Sequence, residues 1–262
     1  MKNKNMQLTI GWLYPQLMST YGDRGNITVL RKRCDWRGIE TEILSIDQNT
    51  TDKQLETIDL LFGGGAQDRE QEIVIKNLIK KKQIIKQMIE NEMPALFVCG
   101  APQLMGNYYE PSVGKRIDGL GIFDMYSKHP GPQDARLIGN LIAKIELGNI
   151  SNAELFDDND FLVGFENHGG RTFLGENTKP LAKVLKGNGN NGQDGTEGVI
   201  YKNAIGCYLH GPLLPKNPQI ADWLITKALE VKYRTPITLA KLDDSLENKA
   251  KSTIAKRLGV EV

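Results

Sequence analysis

Residues 94–106 read Pro94-Ala-Leu-Phe-Val-Cys99-Gly-Ala-Pro-Gln103-Leu-Met-Gly106, and the organisation of the chain turns on how they fold. Leu96 to Val98 is a short apolar run of the kind that forms a strand buried on both faces of a parallel sheet. Cys99-Gly100 follows at once, and Pro102 is tolerated only in the first turn of a helix, where an N–H has no intrahelical partner to lose. The stretch therefore reads as strand, sharp turn and helix, with one thiol at the turn. A side chain placed there stands above the sheet edge and faces the free N–H groups of the helix. Those groups favour a thiolate, and they can also stabilise an oxyanion on a substrate carbonyl. The competing reading is a core cysteine, since cysteine is among the most buried residue types.

Upstream of this stretch, Gln7 to Tyr14 reads as a first strand ended by Pro15, and Tyr21-Gly-Asp-Arg-Gly-Asn26 makes a turn. A helix follows from Ile27 to Trp36, with Ile27, Leu30 and Cys34 on one face. Ile39 to Ile46 is a second strand, and Ile58 to Phe62 a third, cut off by Gly63-Gly64-Gly65. The spacing then predicts one long helix from Gln67 to Glu92. Its core face carries Val74, Leu78, Ile85 and Ile89, and Lys80-Lys81-Lys82 falls mainly on the solvated one. Strands and helices thus alternate up to Cys99, which implies an α/β fold with a mainly parallel, twisted sheet flanked by helices.

Downstream, the pattern changes to short strands separated by turns: Gly119 to Phe123, Leu137 to Ile145, Phe161 to Phe165, Ala182 to Leu185 and Glu197 to Tyr208. This region looks antiparallel. The glycine- and asparagine-rich run from 187 to 195 is a loop. Asn217 to Val231 reads as a helix, and residues 239–258 as a charged amphipathic terminal one. No internal repeat or linker is visible, so the expectation is one domain over residues 1–262, with a core of about 8–215 and a helical C-terminal extension of about 216–262.

Composition narrows the partners. The 33 lysines and arginines are balanced by 32 aspartates and glutamates, for a net charge of +1, which argues against nucleic acid or an anionic membrane surface as the main partner. Three cysteines without CxxC spacing argue against a disulfide framework or a cysteine-rich zinc site, and fit a reducing cytoplasm. The polar N-terminus lacks an apolar signal core, and no apolar run is long enough to span a bilayer.

The histidines are His129, His168 and His210. His210 ends an apolar strand just before Gly211-Pro212, where a side chain can project from a sheet edge. A cysteine nucleophile needs a base that later protonates a leaving amine, and a strand-end histidine can serve. The triplet Gly63-Gly64-Gly65 ends the strand before the Cys99 turn, so in a parallel sheet it shares the carboxyl edge with Cys99. Glycines there let backbone N–H groups approach a substrate. As a nucleotide cradle the triplet is weak, because neither GxGxxG nor GxxxxGK[ST] occurs in the chain. Cys207 sits three residues before His210, but two ligands make no metal site, and it reads as core.

Taken in order, Phe62-Gly-Gly-Gly-Ala-Gln-Asp68, Val98-Cys-Gly-Ala-Pro-Gln-Leu-Met-Gly106, Asp118-Gly-Leu-Gly-Ile-Phe-Asp124 and Gly206-Cys-Tyr-Leu-His-Gly-Pro212 resemble the class I (triad) glutamine amidotransferases. The same motifs narrow the resemblance to the cobyric-acid-synthase-like branch, and Tyr21-Gly-Asp-Arg-Gly-Asn-Ile27 and Asn167-His-Gly-Gly-Arg-Thr172 resemble, within it, the amidase subunits of two-subunit lipid II amidating enzymes, over about residues 8–225. The resemblance implies a flavodoxin-like core and glutamine hydrolysis, with Cys99 as nucleophile and His210 as base and then acid. It implies oxyanion donors at Gly100 and in the Gly64–Gly65 turn, Gln103 lining the pocket, and Arg136, ahead of Arg171, on the substrate α-carboxylate, a job that suits a guanidinium fork. It also implies a Mur-ligase-like partner of the MurT type in a heterodimer. That partner would use the ammonia, with ATP and magnesium, to amidate the stem-peptide glutamate of lipid II, and this chain would need no cofactor of its own.

The chain departs from the family pattern at Phe97, Ala101 and Pro102 around the thiol. It also departs at Pro212, where the family carries the acid that orients the histidine. The expectation drawn from Pro212 is that another segment, or more readily the partner, inserts that carboxylate. A stand-alone amide or γ-glutamyl hydrolase and a non-catalytic binding protein on the same fold remain the alternatives.

Overall fold

The computed structural model describes residues 6–157 and 160–261. Its central sheet is built from β1 (Gln7–Leu13), β2 (Glu40–Ile46), β3 (Leu60–Gly63), β4 (Ala95–Val98), β5 (Val199–Tyr201) and β6 (Ala204–Cys207). The spatial order is β5-β6-β4-β3-β1-β2, with every pairing parallel except β5 with β6. Alternation along the strands feeds two cores. Leu60, Phe62, Leu96 and Val98 point to the face covered by α1 (Arg24–Asp35) and α5 (Pro218–Tyr233), where Leu30, Trp223 and Leu224 meet them. Leu61 and Phe97 point to the other, covered by α2 (Asp68–Leu78), α3 (Lys82–Glu90) and α4 (Gly100–Met105). Strand order reverses between β1 and β3, and open α/β sheets bind ligands above the carboxyl ends of the strands at such a point.

Two four-stranded sheets flank the central one: Arg171–Leu174, Met125–Lys128, Tyr108–Glu110 and Ile117–Asp118 in one, and Thr196–Glu197, Ala182–Lys186, Leu137–Ile145 and Phe161–His168 in the other. The terminal helix α6 (Ser245–Arg257) lays Ala255 against Ile142, Phe161 and Val163 of the second. Arg33, buried in α1, bonds Asp222 of α5 and Asp244 at the start of α6, tying the C-terminal segment to the core.

Three expectations are corrected. The helix expected from Gln67 to Glu92 is split by a 3₁₀ turn at Ile79–Lys81 that buries Lys81. Gly119 to Phe123 is not a strand: the N–H groups of Leu120, Gly121, Ile122 and Phe123 bond the carbonyls of Leu104, Gly106 and Met105. The segment thereby satisfies the free carbonyls at the end of α4 while burying its apolar side chains, a pattern that mimics strand alternation. Glu197 to Tyr208 is not one antiparallel strand either. It turns back at Lys202, and β6 inserts into the central sheet parallel to β4.

Candidate active site

The turn between β4 and α4 is the centre of the site. Cys99 has φ 54° and ψ −100°, a conformation a non-glycine residue rarely adopts, and it forms the N-cap of α4. Backbone strain of this kind persists only where the surroundings impose it. Here the imposing neighbour is β6, since the Cys99 N–H donates to Cys207 O at 2.8 Å. That register also carries His210, three residues past Cys207, to the same edge, where a backbone pair with Phe165 clamps it on both sides.

Gly65 is the point at which the reacting groups converge. A Cβ there would lie 2.8 Å from His210 Cε1, 3.1 Å from Asp23 Oδ2 and 3.5 Å from Cys99 Cβ, so only glycine fits. Asp23 and His210 are both fully buried, and His210 Nδ1 lies 3.2 Å from Asp23 Oδ1. A carboxylate on Nδ1 fixes the ring so that Nε2 is the nitrogen offered to the nucleophile. Nε2 itself makes no hydrogen bond among the described residues. Burial pushes the His210 ring down, but the negative charge of Cys99 and the Asp23 carboxylate outweigh it and raise the group to about 10. The arrangement favours a protonated His210 between Cys99 and Asp23.

Of the two sources expected for the orienting acid, another segment of this chain or more readily a partner, Asp23 is the first. The carboxylate comes from this chain, from the turn that opens α1. Pro212 seats on Gly25, which has no side chain to hold it off, and so closes the turn carrying Asp23 onto the histidine. The Gly64–Gly65 turn also differs from expectation, because the Gly65 N–H donates to Asp23 Oδ2 at 2.7 Å and is not a spare oxyanion donor. Gly64 packs against the Met18 backbone, and Gly100 packs beside Cys99 against Ala66.

A cavity of about 420 Å³ opens in front of Cys99, lined by Gln103, Arg136, His168, Tyr21 and Asp68 among others. Gln103 is buried and held at both ends: its oxygen accepts from Gln71 Nε2, and its nitrogen donates to Tyr208 Oη. Arg136 reaches the mouth of the cavity, braced by Asn167 through Nε and Nη2. Asn167 in turn donates to Tyr21 Oη, and the Tyr21 ring stands edge-on to His210 with centroids 5.0 Å apart. Arg171 does not line this cavity and serves the backbone instead, donating to the carbonyls of Gly169 and Ala135. Cys34 and Cys207 are buried away from the cavity, and burial pushes both thiols up. Tyr21, Asp23 and Asn167 were legible only as parts of family-like motifs, without roles; their chemistry depends on contacts distant in sequence.

The sequence of residues 9–218 matches the CobB/CobQ-like glutamine amidotransferase domain. Among curated proteins, the chain is 41% identical to the lipid II isoglutaminyl synthase (glutamine-hydrolysing) subunit GatD of Streptococcus pneumoniae, an alignment covering 93% of this chain and 89% of that one. It is 38% identical to the GatD subunit of Staphylococcus aureus, covering 96% of each. A probable cobyric acid synthase of Methanococcus maripaludis is 34% identical over 60% of this chain but only 30% of its own length. The fold resembles the glutaminase domain of CTPS from Trypanosoma brucei, solved with acivicin bound, at a TM-score of 0.56 and 12% identity over 89% of this chain and 96% of that one. From the matched domain and the two relatives aligned across nearly all of its length, this chain belongs to the CobB/CobQ-like glutamine amidotransferase family.

Proposed function

We propose that this chain hydrolyses glutamine at Cys99 and supplies the ammonia to a Mur-ligase-like partner subunit, which uses ATP and magnesium to amidate the glutamate of the lipid II stem peptide. The observation that carries the hydrolytic step is the convergence of Cys99, His210 and Asp23 around Gly65. The partner and acceptor rest on the likeness to the two GatD subunits. No helix among the described residues is long and apolar enough to cross a membrane, and the reading places the pair in the cytoplasm, as a heterodimer with residues 1–262 acting as one amidotransferase domain.

In this reading the Cys99 thiolate attacks the side-chain amide carbon. The oxyanion that forms is met by the N–H of Gly100 at the start of α4. His210 then gives its Nε2 proton to the departing nitrogen, which leaves as ammonia, and a γ-glutamyl thioester remains on Cys99. Water, deprotonated by the now neutral His210, attacks the thioester and releases glutamate and the thiolate. Arg136 takes the α-carboxylate, and Gln103 lines the pocket from the far side of Cys99. Asp23 keeps His210 oriented throughout, so this chain holds its own base-orienting group.

The test is ammonia release from L-glutamine by the chain alone and with the partner, together with ATP-dependent amidation of lipid II by the pair. The reading expects hydrolysis by the isolated chain and amidation only by the pair. An isolated chain that is inert and stays inert with the partner would refute it.

A further inference from the structure

Asp23 caps α1 and Asn26 lies one turn further on, so their side chains share a face of the helix. Both are fully buried. Asp23 meets the His210 ring, and Asn26 Oδ1 accepts the N–H of Leu214, four residues past that histidine, at 2.9 Å. Between them Pro212 rests on Gly25. Asp23, Gly25 and Asn26 thus hold His210, Pro212 and Leu214 in matching order. Leu214 opens the 3₁₀ turn Leu214–Lys216, so its N–H has no partner within that turn and needs one from outside. Asn26 Nδ2, equally buried, makes no hydrogen bond among the described residues. An unpaired buried donor is costly, so the fold keeps this amide for its oxygen. From the opposite side Lys216 Nζ donates to Gly211 O at 2.8 Å and to Pro212 O at 3.3 Å.

Upstream of Asp23 the chain offers less support. Tyr21 has φ 56°, and the Asp23 N–H reaches Thr20 O only at 3.4 Å. The carboxylate is therefore placed by its bond from the Gly65 N–H and by the grip that α1 keeps on the segment after His210. Its 3.2 Å contact with His210 Nδ1 is already longer than the about 2.7–2.9 Å usual between a charged donor and a carboxylate. A small slip breaks it, and a misplacement of about 1 Å can cost about a hundredfold in rate. We propose that Asn26 is a positioning residue for the hydrolytic reaction: by tying Leu214 to α1 it sets the Asp23–His210 contact, and with it the aim of the base. Lys216 secures the same segment from its more open side. The inference rests on the glutaminase reading and names what keeps an acid on α1 aligned with a histidine after β6.

The experiment measures ammonia release from L-glutamine, with the partner subunit present, for wild type, Asn26→Ala, Lys216→Met and Asp23→Asn. It adds the two double variants that combine Asp23→Asn with each of the others. Asn26→Ala is expected to lower kcat about ten- to a hundredfold and to leave KM within about threefold of wild type, since no contact with substrate is lost. Lys216→Met should lower kcat by about three- to tenfold, its bonds being nearer solvent. A residue that works through Asp23 has nothing left to position once that carboxylate is gone. Each double variant should then stay within about threefold of Asp23→Asn alone, whereas unconnected defects multiply. Multiplying losses, or an Asn26→Ala enzyme with the wild-type kcat, overturn the proposal. If Asn26→Ala does not fold, the Lys216 variants decide by the same rule. A second readout needs no turnover. With isotope-labelled histidine, the Nδ1 proton of His210, identified by its loss in His210→Gln, is followed by NMR well below the melting transition. It should exchange with water at least about tenfold faster in Asn26→Ala than in wild type, because the contact that shields it opens more often. Equal exchange in the two proteins overturns the proposal. If wild type releases no ammonia, the glutaminase reading fails on its own, and the exchange rate still decides the role of Asn26.

Discussion

His210 and His168 are both buried and both face a carboxylate: His210 Nδ1 lies 3.2 Å from Asp23 Oδ1, and His168 Nε2 lies 3.5 Å from Glu166 Oε2. Their protonation nevertheless diverges. Burial pushes both rings down, but at His210 the charge of Cys99 adds to that of Asp23 and raises the group to about 10. At His168 burial wins over Glu166, with the nearby Arg171 adding to it, and the ring is held below its ordinary value. The Glu166 carboxylate is committed elsewhere, accepting from the backbone and side-chain nitrogens of Asn188 and from the Gly189 N–H. His168 Nδ1 lies 2.8 Å from Gly170 O, and its ring stacks on Tyr208 with centroids 3.6 Å apart. A carboxylate beside a histidine therefore does not by itself make an acid–base group. The second anion decides, and only His210 has one.

The comparison breaks most visibly at the nucleophile. Cys99→Ala should abolish ammonia release from glutamine, while Cys34→Ser and Cys207→Ser should keep most of it. A dead Cys207 variant beside an active Cys99 variant would mean that the wrong thiol, and hence the wrong histidine, has been assigned. The next largest effect belongs to the two carboxylates. Asp23→Asn should lower kcat by about 10²–10⁴ with KM little changed, because an amide on Nδ1 favours the wrong tautomer. Glu166→Gln should instead lower the melting temperature, since its amide nitrogen would face backbone N–H donors, and should change kcat by less than about tenfold. Equal kcat losses from the two would erase the distinction between the pairs.

A smaller effect separates the arginines that flank His168. Arg136→Ala should raise KM for glutamine roughly ten- to a hundredfold, the value of a charge-assisted contact to a carboxylate. Arg171→Ala should act on stability instead, through the loops it ties together. Matching KM effects from both would show that the cavity has been misread.

The smallest and most diagnostic shift concerns Glu197, which is fully buried and feels both Glu166 and His210. Burial raises its carboxyl to about 8, against the hydrogen bond from the Tyr208 N–H and with the charge of Glu166. The folded chain therefore binds a proton here that the unfolded chain has released, and stability falls as pH rises from about 4.5 to about 8. Glu197→Gln removes that titration. Its melting temperature should match wild type near pH 4.5 and exceed it near pH 8.5, by on the order of 5 °C. A difference that does not vary with pH would mean that Glu197 is ionised in the fold. His210 shifts stability in the same direction with pH, over a higher window: its raised value adds stability that is full below about 6.5 and is lost as pH rises through about 10.

Cys99 and His210 can be singled out without coordinates because their signals are local, whereas Gln103 is marked only by its match to the family's turn motif. An apolar run, a glycine and a first-turn proline dictate a strand, a turn and a helix start, and turn chemistry alone places a side chain at a sheet edge. Gly119 to Phe123 shows the limit of such reading. Buried apolar residues in alternation look the same whether their N–H groups pair with a strand or cap the helix ending at Met105. The sequence also revealed a gap, the missing acid at Pro212, but not what fills it. Asp23 lies 187 residues from His210 along the chain, in a turn whose composition carries no catalytic mark.

The sequence by itself determined the alternation of strands and helices, the thiol at the turn and the histidine at a strand end, because each follows from side-chain pattern and backbone preference within a few residues. Only the tertiary structure decided which carboxylate serves which histidine. That choice depends on β6 entering the sheet beside β4 and on Pro212 closing against Gly25. Electrostatic coupling between buried groups falls off with distance in space and is indifferent to distance along the chain, so it is settled only when the packing is complete.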